Sequence, residues 1–132
     1  MINLEGEFYV KITPAKTDDP KLGLMTLDKT YHGKIQAKGV GRMLTGMTEV
    51  PTSAVYVAME KITGTVDGRA GSFIIHHRGI MEGGKKELEI AIVPDSGTDQ
   101  LAGIQGTMKI DIRDGKHFYK LSYYIGEQVA DR

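Results

Sequence analysis

Apolar and polar residues alternate with a period of two along most of this chain. In IQGTMKIDIRDGKHFYKLSYYI (104–125), with Asp114-Gly115 as a turn, Ile104, Met108, Ile110, Ile112, Tyr119, Leu121, Tyr123 and Ile125 share one side. Gln105, Thr107, Lys109, Asp111, Lys120 and Ser122 share the other. Phe8, Val10 and Ile12 alternate in the same way against Glu7, Tyr9 and Lys11. This is the signature of strands with one buried and one solvated face. The pattern predicts eight strands, at about 4–12, 22–31, 34–47, 53–66, 69–82, 85–94, 104–113 and 116–125. No apolar period of 3.6 persists long enough for a long helix. The fold expected is all-β: one domain over residues 1–132, an eight-stranded antiparallel up-and-down meander. At that number a meander can close into a barrel and remove its exposed edges.

The turns set the register. Asp67-Gly68 and Asp114-Gly115 read as two-residue type I′ hairpins, because both central residues must tolerate positive φ. EGGK (82–85) and YHGK (31–34) are weaker versions of the same signal. A two-residue loop at 67–68 puts Val66 opposite Arg69, so Ala54, Tyr56, Ala58, Glu60 and Ile62 share a face with Phe73, Ile75, His77, Gly79 and Met81. Through Gly83-Gly84 that face collects Leu88, Ile90 and Ile92. Arg78 meets Glu89 outside, a favourable cross-strand pair of opposite charges. The adjacent histidines in GSFIIHHRG (71–79) therefore separate, His77 inward and His76 outward.

Composition narrows the function classes. Seventeen basic residues balance seventeen acidic ones, so nothing in the net charge attracts nucleic acid. The absence of cysteine excludes disulfides and thiolate chemistry. The opening MINLEGEFYV has neither the basic nor the apolar region of a secretory leader. No apolar run is long enough for a membrane-spanning helix, which needs ~18 residues. A cytoplasmic protein with no membrane partner is the expectation.

The inward face is not uniformly apolar. It is expected to carry Tyr56, Glu60, His77, Tyr119 and Tyr123, and on the second and third strands Asp28 and Thr45. It also carries small residues such as Ala54, Ala58 and Gly79, which leave volume unfilled in a barrel just wide enough for one small ligand. Glu60 lies one diagonal step from His77, and a buried carboxylate beside an imidazole is the composition of an acid/base pair. It is equally the composition of a structural pair in which two buried polar groups satisfy each other. His77 and His117 with Glu60 match no metal-ligand spacing, so neither metal nor cofactor is expected. The glycines of AKGVGRM (37–43) sit inside a strand and read as a bulge or barrel corner. PDSGTDQLAG (94–103) reads as turn chemistry, with anion binding as the lesser alternative.

YVAMEKITGTVDGRAGSF (56–73), the histidine at 77, VPDSGTDQLAGIQG (93–106), DGKHFYKLSYYI (114–125) and MTLDKTYHG (25–33) together resemble a family of small bacterial proteins known only as a domain of unknown function. The resemblance covers nearly the whole chain and implies an antiparallel barrel similar to that of allene oxide cyclase, whose cavity binds a fatty-acid-derived epoxide. It includes Tyr56, Glu60, Phe73, His77, Pro94, Ser96, Gly97 and His117; Arg42 departs from it, standing where an acidic residue is expected. Fold likeness does not fix function.

Three functions are therefore weighed: a binder of a small apolar or amphipathic molecule in the barrel; a cofactor-independent isomerase, cyclase or lyase using Glu60 and His77 as its acid/base pair; and an oligomeric barrel with a filled core. Val55, Val57, Met59, Ile74, His76, Ile80, Ala91 and Val93 form an apolar outer face on strands four to six. Such a patch marks an interface, and a homodimer that buries His76 and weakens on acidification is the expectation. The alternative is that the 13–23 connection folds over it.

Overall fold

The computed structural model describes residues 1–126 of the 132, so the domain expected over 1–132 is described over that range. Eight strands follow one another: β1 (Ile2–Ala15), β2 (Leu22–Gly33), β3 (Ile35–Met47), β4 (Ala54–Val66), β5 (Arg69–Glu82), β6 (Lys85–Ile92), β7 (Ile104–Arg113) and β8 (Lys116–Ile125). Each pairs antiparallel with its neighbours in sequence, and β8 pairs with β1 to close the barrel. Among the described residues the only helical element is the single 3-10 turn Asp99–Leu101. No described helix is long and apolar enough to cross a membrane.

The short turns hold the register expected of them. Asp67 and Gly68 have φ of 49° and 82°. Asp114 and Gly115 have φ of 52° and 76°. Both pairs meet the requirement of a type I′ hairpin for positive φ at its two central residues. Val66 accordingly meets Arg69, His76 meets Met59 and Ala91, and Arg78 meets Glu89. On β2 the expectation needs correction. Asp28 is exposed, and the residues facing inward are Leu27, Lys29 and Tyr31. Asp28 pairs with Lys11 and Val40, on the same side of the sheet as the polar Thr26 and Thr30.

Nor do the glycines of β3 make a bulge, since the β3–β4 pairing runs unbroken from Ile35↔Val66 to Met47↔Ala54. Gly39 and Gly41 face inward beneath Glu60. A Cβ at Gly39 would overlap the Glu60 Oε2 atom, and one at Gly41 would overlap the Met59 carbonyl. They are small so that a carboxylate can lie inside the wall.

The long connection 93–103 is structural. β6 ends at Ile92, but β5 continues, and its next backbone groups are taken by side chains of this connection. Ile74 N–H donates to Ser96 Oγ, Ser72 N–H to Thr98 Oγ1, and Ala70 N–H to Gln100 Oε1. Leu101 then plugs the barrel end, fully buried with Ile104. At this end Tyr31, Ile35, Val66, Tyr119, Leu121 and Tyr123 fill the interior. At the other end the alternation continues but the filling stops. Ile112 and Leu88, both inward by register, are 62% and 42% exposed.

Candidate functional site

The open half encloses a cavity of about 310 Å³ with walls from all eight strands. Phe8, Val10, Leu27, Met43, Leu88 and Ile110 supply most of its apolar surface, and Tyr56, Lys29, His77 and His117 its polar groups. Its volume is at the lower end of the roughly 300–1,000 Å³ typical of small-molecule pockets. The mouth lies at the ends of strands joined by residues 16–21, 48–53, 83–84 and 114–115.

Glu60 lies beneath the floor with no exposed surface. Lys29 Nζ stands 2.8 Å from its Oε1, the Tyr31 hydroxyl donates to its Oε2 at 2.5 Å, and His77 Nε2 lies 3.4 Å from Oε1, too poorly aligned for a hydrogen bond. Lys29, itself buried, has its ammonium 5.1 Å from the centre of the Phe8 ring. Burial alone would raise the Glu60 carboxyl, but His77, Lys29 and Tyr31 outweigh it and hold the group below the ordinary carboxylate range. The consequence for Tyr31 is opposite: burial, then the Glu60 charge, push its phenol well above the usual value. The centre is therefore a carboxylate paired with a buried ammonium and accepting from a neutral phenol.

Of the five residues expected to bind a ligand, Tyr56 and His77 line this cavity, and Glu60 sits directly behind them. Tyr56 lies over Gly79, where any Cβ would strike its ring. Tyr119 and Tyr123 are in the filled half instead. The Tyr119 hydroxyl donates to His32 C=O and accepts from Ile35 N–H, passing over Gly6 of the intervening β1 to close the β2–β3 connection. Burial raises its phenol and that of Tyr123, and for Tyr123 the charge of Asp67 adds to the effect. Thr45, paired with Tyr56, faces inward near the mouth, and Arg42 stands outside opposite Met59.

Lys29 is the residue that sequence reasoning missed. The signal was present, because Lys29 shares its parity with Leu27 and Tyr31 while Thr26, Asp28, Thr30 and His32 share the other. His117 borders the cavity against Phe8, their ring centres 5.3 Å apart. Among the described residues no group of three or more potential metal ligands comes together.

These features define a closed up-and-down β-barrel, filled at one end and hollow at the other. The chain belongs to the DUF3224 family, described as a protein of unknown function, whose profile matches residues 4–123. It is similar to a crystallised DUF3224 protein of unknown function from Shewanella oneidensis MR-1, with 42% identity. The match covers 97% of this chain and 99% of that one, with a TM-score of 0.92. Among curated proteins no match was found.

Proposed function

We propose that the barrel binds a small apolar or amphipathic molecule in its open half. The observation that carries this reading is that half of the inward face is left unfilled, so that Ile112 and Leu88 border open volume rather than core. Protein interiors are ordinarily packed without such voids. A titration with a solvatochromic apolar dye tests it. Binding should be lost in Met43→Trp, which fills the cavity, and retained in Met59→Glu on the outer wall. The reverse pattern would move the site outside the barrel and overturn the reading.

The alternative, an isomerase, cyclase or lyase with Glu60 and His77 as its acid/base pair, draws less support from the geometry. A carboxyl held below its usual range by His77, Lys29 and Tyr31 against the effect of burial is a poor proton acceptor near neutrality.

A homodimer is favoured by a separate observation. Val55, Val57 and Met59 on β4 are joined outside by Val40 and Leu44 on β3, all about half exposed, and His76, Ile74 and Ile80 continue the face. The 16–21 connection borders only its mouth-side edge, near Val55 and Ile80, and leaves Val40, Leu44, Val57 and Met59 exposed. That segment lies at the mouth, where Met47 N–H donates to the Lys21 carbonyl. Four strands and about six residues of each make a face of roughly 20 by 20 Å. This is small beside the roughly 800 Å² per partner of a standard interface, so the dimer is a weak one. Sedimentation velocity from low micromolar to submillimolar protein should detect a dimer in wild type that Met59→Glu abolishes. A monomer throughout would refute it.

A further inference from the structure

Lys29 stands at the cavity floor with donors and a charge that any entering head group would meet. Its side chain is only 5% exposed, so no bulk solvent surrounds the ammonium. An ammonium carries three N–H donors. Glu60 Oε1 meets the ammonium as an ion pair at 2.8 Å without an aligned hydrogen bond, and the Phe8 ring face receives part of the charge. Among the described residues no hydrogen bond from Nζ is made, and the cavity wall is aliphatic apart from Phe8, Tyr56, His77 and His117, with the His77 Nε2 atom itself unpartnered. A buried donor without an acceptor is costly, and the space where an acceptor would sit is the cavity itself.

The charge sum then separates acceptors. Lys29 and Glu60 cancel, so at a pH above the ordinary imidazole range, where His77 and His117 add no charge, the floor is neutral overall. At that pH a carboxylate head would add an uncompensated negative charge in a site already holding Glu60, at a desolvation cost with no second cation beside Lys29 to offset it. A cationic head would confront Lys29 directly. An uncharged oxygen acceptor satisfies the vacant donor and leaves the charge sum at zero.

Resting on the ligand-binding reading above, we infer that the barrel takes an uncharged carbonyl compound with an aliphatic body, inserted head-first so that its carbonyl oxygen accepts from Lys29. The aliphatic body lies against Leu27, Met43, Leu88 and Ile110 and ends near Ile112 at the mouth. At interior packing density the cavity holds a chain of about ten carbons.

The test compares methyl octyl ketone, decanoate and decyltrimethylammonium by isothermal titration against wild type, Met43→Trp and the double variant Lys29→Met/Glu60→Gln. The double variant is used because Lys29→Met alone strands the Glu60 charge. In wild type the ketone should bind at least about tenfold tighter than either charged probe. Met43→Trp should remove the binding, and in the double variant the preference over decanoate should collapse. Equal binding of all three probes, or a ketone preference that survives the double substitution, would overturn the head-group inference and leave the cavity reading standing. No binding of any probe to wild type would overturn both.

Discussion

The two halves of this barrel are built from the same eight strands and the same inward alternation, yet one is solid and the other hollow. In the solid half three tyrosines, Leu101 and a ring of branched aliphatics meet across the axis, and the Tyr119 hydroxyl reaches past β1 to hold the 33–35 connection. In the hollow half the inward residues are mostly aliphatic, among them Val10, Ile12, Leu27, Met43, Leu88 and Ile112, and with Tyr56 and His117 they line open volume rather than meet. Between them lies a polar layer of Lys29, Glu60 and His77. The difference teaches that alternation decides which side of a sheet is buried, whereas side-chain reach and end closure decide whether the enclosed volume is filled.

The layer between the halves should give the largest effect. Removing either partner of the Lys29–Glu60 pair leaves an isolated buried charge, so Lys29→Met or Glu60→Gln should each lower stability by about 3–5 kcal/mol. The double variant should recover most of that loss, as read by urea denaturation. Because the Glu60 carboxyl is held below its ordinary value, its contribution is present at neutral pH and is lost as pH falls below the unfolded-state value of about 4.3. The acid limb of the wild-type stability profile should therefore be steeper than that of the double variant.

Truncations then contrast the halves directly. Leu121 is fully buried in the solid half. Leu121→Ala should cost about 2–5 kcal/mol, because neighbours on every side are left facing a void. Leu88 at the mouth already borders open space, so Leu88→Ala should cost less than about 1 kcal/mol. Equal costs would mean that the hollow half is packed in solution. A smaller effect sharpens the picture at the floor. Gly39→Ala forces a methyl group against the Glu60 carboxylate and should cost about 1–3 kcal/mol. In the Glu60→Ala background the same change should be nearly neutral.

Much of this architecture was legible in the chain. Asp-Gly turns fix pairing arithmetic, so the shared inward face of Glu60 and His77 on β4 and β5 could be read from spacing alone. The height of Tyr119 and Tyr123 relative to His77 could not. β5 and β8 are linked through the 93–103 connection, and β8 meets β1 through no turn at all, so no local geometry ties their levels together. Lys29 was hidden for a different reason. A lysine is among the residues least expected inside, and its partner Glu60 lies on a strand that β3 separates from it. Gly39 and Gly41 could be explained only once that carboxylate had a position.

The central claim is that the hollow half alone is the binding volume, and methyl NMR of the isotope-labelled protein titrated with methyl octyl ketone tests it most directly. Shifts are expected at the methyl groups of Leu27, Leu88, Ile110 and Ile112, with those of Ile35, Ile62, Val66 and Leu121 unmoved. Shifts led by Val55 and Val57 on the outer wall, or spread evenly through the solid half, would contradict it.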